Sequence, residues 1–428
     1  MPRPPVGCLR DLAWRYCNES LALRRLVLDP VASRYNLRML AQIDKRWLVI
    51  GGVLLILLVV GTALALSLPA EQAVTTPEPD RDAQLAYLSP TDGPADIYFY
   101  DPEIGQSQRL TETDGASSFS ADLENLYLYF SAANEAGGAG IWQLDLARGA
   151  AQLLLDCGAA SCEGLSLAPD GRWLAYERRD ASVSAGTEVW LLDLVRNAAR
   201  QLSPSREESS TPQWAGVIQP SLLLSYYNRS ASAYILVNTH GEELERFDSD
   251  TGRPVAWEPG GLNFVAAEQF PVSTDILRGL EGEAVFQTPE PGSLEPVVLL
   301  ASQLFSFSSE GSSPLFEDGE QLIEDAAAAF SPDGVWLAFT RKYLDEERWT
   351  PGRQLWLLDV ESGKRRQLGE DANYQVTALA WSPDSRQIAF VRSNQTDFGQ
   401  PAELWLMDVA TGESQLIALD AYAPGWIP

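Results

Sequence analysis

Histidine is nearly absent from this chain. The single one, His240, stands among 428 residues that include only four cysteines and three methionines. A metal centre built on several imidazoles is therefore excluded, and a Ser-His-Asp triad could form only around residue 240. That residue sits in VNTHG, the spelling of a solvated turn. Gly-rich phosphate loops of the Walker and Rossmann forms are missing as well. Lysine is confined to Lys45, Lys342 and Lys364, so nearly every cation is an arginine. Positive charge is scarce altogether: 31 Lys and Arg stand against 59 Asp and Glu, a net of −28.

The charge is unevenly spread. Residues 1–46 carry nine basic and four acidic side chains, which leaves 22 basic and 55 acidic ones beyond them, a net of −33. A body this acidic repels phosphates and anionic headgroups, so nucleic acid is not an expected partner. The sign changes across WLVIGGVLLILLVVGTALALSL, Trp47–Leu68, which is 22 residues long and uncharged. A helix of that length crosses a hydrocarbon core of about 30 Å. A soluble core helix rarely stays apolar on every face. Basic residues on its N-terminal flank place that end in the cytoplasm. The rival is a cleaved signal peptide, since Ala63-Leu64-Ala65 offers small residues at a cleavage position; a 46-residue leader argues against it.

The expectation is a single-pass protein of the cytoplasmic membrane with its bulk outside. Residues 1–46 read as a mostly helical cytoplasmic leader, 47–68 as the anchor, and 69–83 as a Pro-rich, acidic linker. Cys157 and Cys162, in DCGAASCEG, fall in the external part, where an oxidising compartment permits a short-loop disulfide. Cys8 and Cys17 fall on the reducing side and are expected as free thiols.

From residue 84 the chain repeats. A strand ending in Asp and a tight turn recurs as IYFYDPEIG (97–105), IWQLDLARG (141–149), VWLLDLVRN (189–197), LWLLDVESG (355–363) and LWLMDVATG (404–412), with degenerate copies at 234–241 and 304–311. Ahead of it in each unit stands a second pattern, as in LAPDGRWLAYE (167–177), FSPDGVWLAFT (330–340) and WSPDSRQIAFV (381–391). Pro presets φ, Asp bonds to its own backbone and Gly tolerates positive φ, so Pro-Asp-Gly spells a turn. Each unit reads as four strands of a meander. Strands such as VWLLD are apolar on both faces and need cover on both, which stacked sheets supply. A period of about 48 residues with four strands apiece predicts a β-propeller. The first unit has no strand ahead of QLAYLS (84–89), and AYAPGWIP (421–428) begins a unit that has no sequel. Joining the two closes the ring, which predicts seven blades over 84–428, with six or eight as the alternatives.

The strings FSPDGVWLAF, WSPDSRQIAF and LWLLDVESGKRRQL resemble the repeats of TolB-type, or WD40-like, propellers, over roughly residues 84–428. The resemblance implies a scaffold for protein–protein contact in the bacterial envelope. Related propellers act as substrate gates in serine peptidases. This sequence ends with the repeats, so a gating role is not expected. The anchor also stands where a TolB-like N-terminal domain would be.

The recurrent carboxylates, among them Asp170, Asp333 and Asp384, lie in turns where backbone bonding accounts for them. No catalytic, cofactor-binding or metal-ligating residue is assigned, although external carboxylates could in principle hold Ca²⁺ or act as an acid/base pair. Loop length points elsewhere. The two short turns of each unit share one face of the disc, and the longer connections share the other. The longest are 178–188, 341–354, 392–403 and an insertion at 268–302. Arg341, Lys342, Tyr343, Arg348, Trp349 and Arg353 form the most distinctive group there, basic and aromatic on an acidic body, and are the expected partner-binding residues. A partner carrying acid or a flat ring would suit them.

The first expectation is a membrane-anchored, non-catalytic scaffold for protein or an envelope polymer. The second is a propeller hydrolase that cleaves a glycan or lactone, with carboxylates or Ca²⁺ in its channel. A third is a sensor reporting inward through residues 1–46.

Overall fold

The computed structural model describes residues 83–102, 104–113, 115–181, 186–204, 207–216, 222–272, 300–369 and 371–428. The leader, the Trp47–Leu68 segment and the linker up to residue 82 lie outside them. Among the described residues there is no helix, hence none long and apolar enough to cross a membrane.

The described chain is all-β and its sheets are of one kind. Three are four-stranded. Two are eight-stranded, and each of these is a pair of four-stranded antiparallel meanders joined by one parallel pairing, Ala139 with Ser161 and Ser302 with Glu324. The meander of Ile323–Phe330, Trp336–Tyr343, Gln354–Asp359 and Arg365–Gln367 is typical. So is that of Tyr374–Trp381, Gln387–Asn394, Glu403–Asp408 and Ser414–Leu419. One sheet is assembled from both ends of the described chain: Tyr422–Ile427 pairs antiparallel with Gln84–Ser89, with Trp426 opposite Leu85. First strands of neighbouring meanders pack together, and Tyr422–Ile427 lies between Tyr374–Trp381 and Ala116–Asp122. This is the architecture of a β-propeller.

Turn chemistry follows the residues. In FSPDGVW, Asp333 accepts the Val335 N–H at 3.1 Å and the Ser331 hydroxyl at 2.5 Å, and Gly334 has φ of 73°. In WSPDSRQ, Asp384 accepts from Arg386 N–H at 3.1 Å, and Ser385 occupies the left-handed position at φ 62°. The two turns meet, because the Asp333 N–H donates to Ser385 Oγ at 3.1 Å.

Packing between sheets explains why the strands are apolar on both sides. One core cluster joins Ala338, Leu355 and Leu357 to Trp381, Ile388, Phe390 and Met407 of the next meander. Each such fully buried leucine or isoleucine contributes on the order of 1.5–3 kcal/mol. A tryptophan repeats at the end of the first strands and ties neighbours together. The indole N–H groups of Trp214, Trp381 and Trp426 donate to the carbonyls of Ser166, Ala329 and Ala380 in the preceding meander, at 2.9, 2.9 and 3.3 Å.

The long connections are shorter than the sequence suggests. Arg341, Lys342 and Tyr343 belong to the strand Trp336–Tyr343, and Gln354 opens the next, so the loop is 344–353. Glu268 to Pro271 pair with Leu300 to Gln303, which narrows the insertion; residues 273–299 lie outside the described residues.

Candidate functional site

Antiparallel alternation puts the connections 344–353 and 395–402 at one end of their meanders, opposite the Pro-Asp-Gly turns. The group singled out by sequence does not form one exposed cluster. Arg341 is a core residue, 2% exposed. Its Nε and Nη2 donate to the two oxygens of Asp325 at 2.7 and 2.8 Å, and Asp325 is fully buried. The guanidinium lies over Phe316 and Phe339, 4.8 and 5.4 Å from the ring centroids. Burial works against the charge on Arg341, but the Asp325 carboxylate outweighs it and lifts the group above its ordinary range. Arg341 is unavailable to a partner because its whole donor edge and its stacking face are used inside the sheet.

The reason is legible once the repeats are overlaid. Arg178, Arg341 and Arg392 each stand eight residues after the aspartate of their turn, Asp170, Asp333 and Asp384. Arg178 lies 5.0 Å over Trp190; Arg392 lies between Tyr374 and Trp405, at 4.1 and 4.3 Å, and pairs with Glu403 at 2.8 Å. An arginine on a ring is thus a device of the fold, and its periodicity was the signal that grouping by loop overlooked.

The other cations of the group are also committed. Arg348 reaches Glu320 at 2.8 Å and Asp345 at 2.7 Å, and its guanidinium lies 4.0 Å from the Tyr343 ring. Hydrogen bonds from Glu320, then Asp345, hold Arg348 above its ordinary range. Arg353 pairs with Glu324. Lys342 Nζ lies 5.2 Å from the Trp349 ring. Trp349 itself is 54% exposed. What the loop presents is an aromatic tip on a base whose arginines are internally neutralised, with Lys342 stacked on the Trp349 ring.

This loop is also fastened to the next meander. Gly352 N–H donates to the Ala372 carbonyl at 3.2 Å, Val376 N–H to Arg353 at 3.0 Å, and Gln354 Nε2 to Tyr374 at 3.0 Å. A Cβ on Gly352 would stand 2.2 Å from the Tyr374 oxygen, so only glycine permits this approach.

A second feature of the same face escaped the sequence. An open cavity of about 510 Å³ is lined by Glu208, Tyr227, Arg229, Asp250 and Thr251, among others. Beside it the Glu268 carboxylate accepts the hydroxyls of Ser249 and Thr251, at 2.6 and 3.2 Å. Burial pushes the Glu268 carboxyl above its usual value. Glu268 falls in the stretch the sequence reads as an insertion, and pairing with Gln303 places it on the strand Phe264–Pro271 instead.

Among the described residues no three His, Cys, Asp or Glu side chains converge as a metal cage. His240 is exposed in its turn, where its N–H donates to Asn238 Oδ1 at 2.9 Å. Cys157 and Cys162 are disulfide-bonded, with Cα atoms 6.3 Å apart.

No family model matches the chain. Over 96 residues it is 27% identical to dipeptidyl-peptidase 5 of Porphyromonas gingivalis, a stretch that covers 22% of this chain and only 13% of that peptidase. Its fold is similar to the crystal structure of oligogalacturonate lyase from Vibrio parahaemolyticus. There the TM-score is 0.51 at 12% identity, covering 79% of this chain and 87% of the lyase. TolB from Acinetobacter baumannii is also similar, with a TM-score of 0.44 and 12% identity over 81% of this chain and 67% of that one. At 12% identity the likeness to the lyase is one of fold alone.

Proposed function

We propose that this chain is a membrane-anchored, extracytoplasmic, seven-bladed propeller that binds a protein or an envelope polymer through its long-loop face and catalyses no reaction. One observation carries the reading: Trp349, a large exposed ring, is held on a loop braced by Arg348–Glu320, Arg348–Asp345 and the Gly352 contact. A rigid aromatic presented on a fixed base suits recognition, because little conformational freedom is lost on binding. The uncharged Trp47–Leu68 segment and the Cys157–Cys162 disulfide support the anchored, external placement. Affinity capture from membranes, wild type against Trp349→Ala, tests the scaffold. The variant should lose the partner that wild type retains. An unchanged set of retained proteins would sink the reading.

A hydrolytic reading rests on one pair. Glu163 stands opposite Glu177 on the neighbouring strand, and burial, helped by the Glu163 charge, pushes the Glu177 carboxyl upward. A carboxyl pushed up by burial with a second carboxylate opposite it is an arrangement used in acid/base catalysis. Glu177, however, already accepts the Thr211 N–H at 2.7 Å from the adjoining meander, as an inter-sheet tie does. Glycan or lactone cleavage that disappears in Glu177→Gln would favour the enzyme.

A further inference from the structure

We infer that the partner of the long-loop face is a cationic protein segment with aliphatic side chains, docking across the tips of two neighbouring loops. The inference deepens the scaffold reading and rests on it. The second tip is Phe398, 83% exposed in the connection 395–402. That connection and 344–353 are bonded to the same short segment. Gln395 N–H donates to Asn373 at 2.7 Å and the Tyr374 hydroxyl to Gln400 at 3.1 Å, while Gly352 and Gln354 bond to Ala372 and Tyr374 from the other side. Trp349 and Phe398 are therefore borne by one continuous, mutually braced surface.

Its charge is opposite to what the sequence suggested. Arg348, Arg353 and Arg392 are all in ion pairs, and Lys342 is held over the Trp349 ring. The exposed carboxylates Glu346, Glu347, Asp371 and Asp397 form no ion pair among the described residues. The exposed carboxylates attract a cation by charge and Phe398 by its ring face, while Trp349, with Lys342 on its ring, offers apolar surface. The aliphatic part of an arginine or a leucine covers the rest of each ring. The same carboxylates oppose insertion of these tips into an anionic headgroup layer.

The test uses the full-length protein and a fluorescent synthetic peptide alternating arginine and leucine, with the glutamate–leucine counterpart as control. Wild type should prefer the basic peptide. Combining Trp349→Ala with Phe398→Ala should weaken binding by roughly tenfold or more, the scale of losing central aromatic contacts. Glu346→Lys with Glu347→Lys should do the same. The same reversal on the short-turn face, Glu124→Lys with Glu361→Lys, should change it by no more than about twofold, since screening confines the effect to roughly 8–10 Å. Equal loss from both reversals would reduce the effect to the charge of the whole molecule and overturn the inference. So would preference for the acidic peptide, or binding of phosphatidylglycerol vesicles through Trp349 and Phe398. A captured cellular partner that is lost in Trp349→Ala but survives Glu346→Lys with Glu347→Lys would overturn this inference alone. Failure of wild type to retain any partner would overturn the scaffold itself.

Discussion

At the scale of single residues, two buried carboxylates mark where stability is concentrated. Asp325 and Arg341 are both dry, so removing one partner strands the other. Arg341→Met should lower the unfolding free energy by about 3–5 kcal/mol. The combined Asp325→Leu and Arg341→Met variant should lose less than Arg341→Met alone, because no unpaired charge remains. Urea midpoints of the three proteins check this. Asp96 behaves differently. It is 4% exposed and accepts the Thr111 hydroxyl and the Thr113 N–H, each at 2.8 Å. Burial raises its carboxyl, but donors from Thr113, Thr111 and Arg109 outweigh that and hold it below the ordinary 3.8. A folded value below the unfolded one means that the stabilisation is complete above about 3.8 and fades as pH falls through the folded value. Asp96→Asn should therefore flatten the acid limb of the stability curve in that window. A curve that stays parallel to wild type would contradict the assignment. Neither residue stands out in sequence, since a buried carboxylate is spelled like any other.

Among elements, the connections between strands decide what the face can do. Gly352→Ala would push a methyl into the Tyr374 carbonyl and should cost about 1–3 kcal/mol, with faster hydrogen exchange in 344–353 and 371–376. Exchange unchanged in 371–376 would show that the two segments are not coupled. Glu268 supplies the opposite pH signature. Its folded value lies above the ordinary 4.5, so its charge opposes folding once pH passes the unfolded value, and the penalty is complete above the folded one. Glu268→Gln should gain stability relative to wild type as pH rises through that range, and equal slopes would refute it. The strand and turn elements were legible because Pro-Asp-Gly, Asp-x-x-Gly and short apolar runs such as VWLLD are local properties. The loop contacts were not. Sequence shows that 341–354 is basic and aromatic, but Glu320, Glu324 and Asp325, which pair with its arginines, come from another strand and its approach.

For the whole molecule, the sheet built from both ends is the critical joint. Without residues 422–428 the strand Gln84–Ser89 would present an open edge beside Ala116–Asp122. That truncation should abolish cooperative melting and give concentration-dependent association in size-exclusion runs. A monomeric truncated protein with a sharp melt would contradict the closed ring. Architecture was readable from sequence since each meander repeats the same four-strand grammar, whereas the partner is written in unrepeated loop residues that no periodicity exposes. The most direct test of the central claim, that the long-loop face is the binding surface, is site-specific photo-crosslinking in intact cells. A photoreactive residue replacing Trp349 or Phe398 should trap a protein or polymer adduct, and one replacing Glu361 on the short-turn face should trap none. Adducts from position 361 alone, with none from 349 or 398, would show that binding takes place on the opposite face.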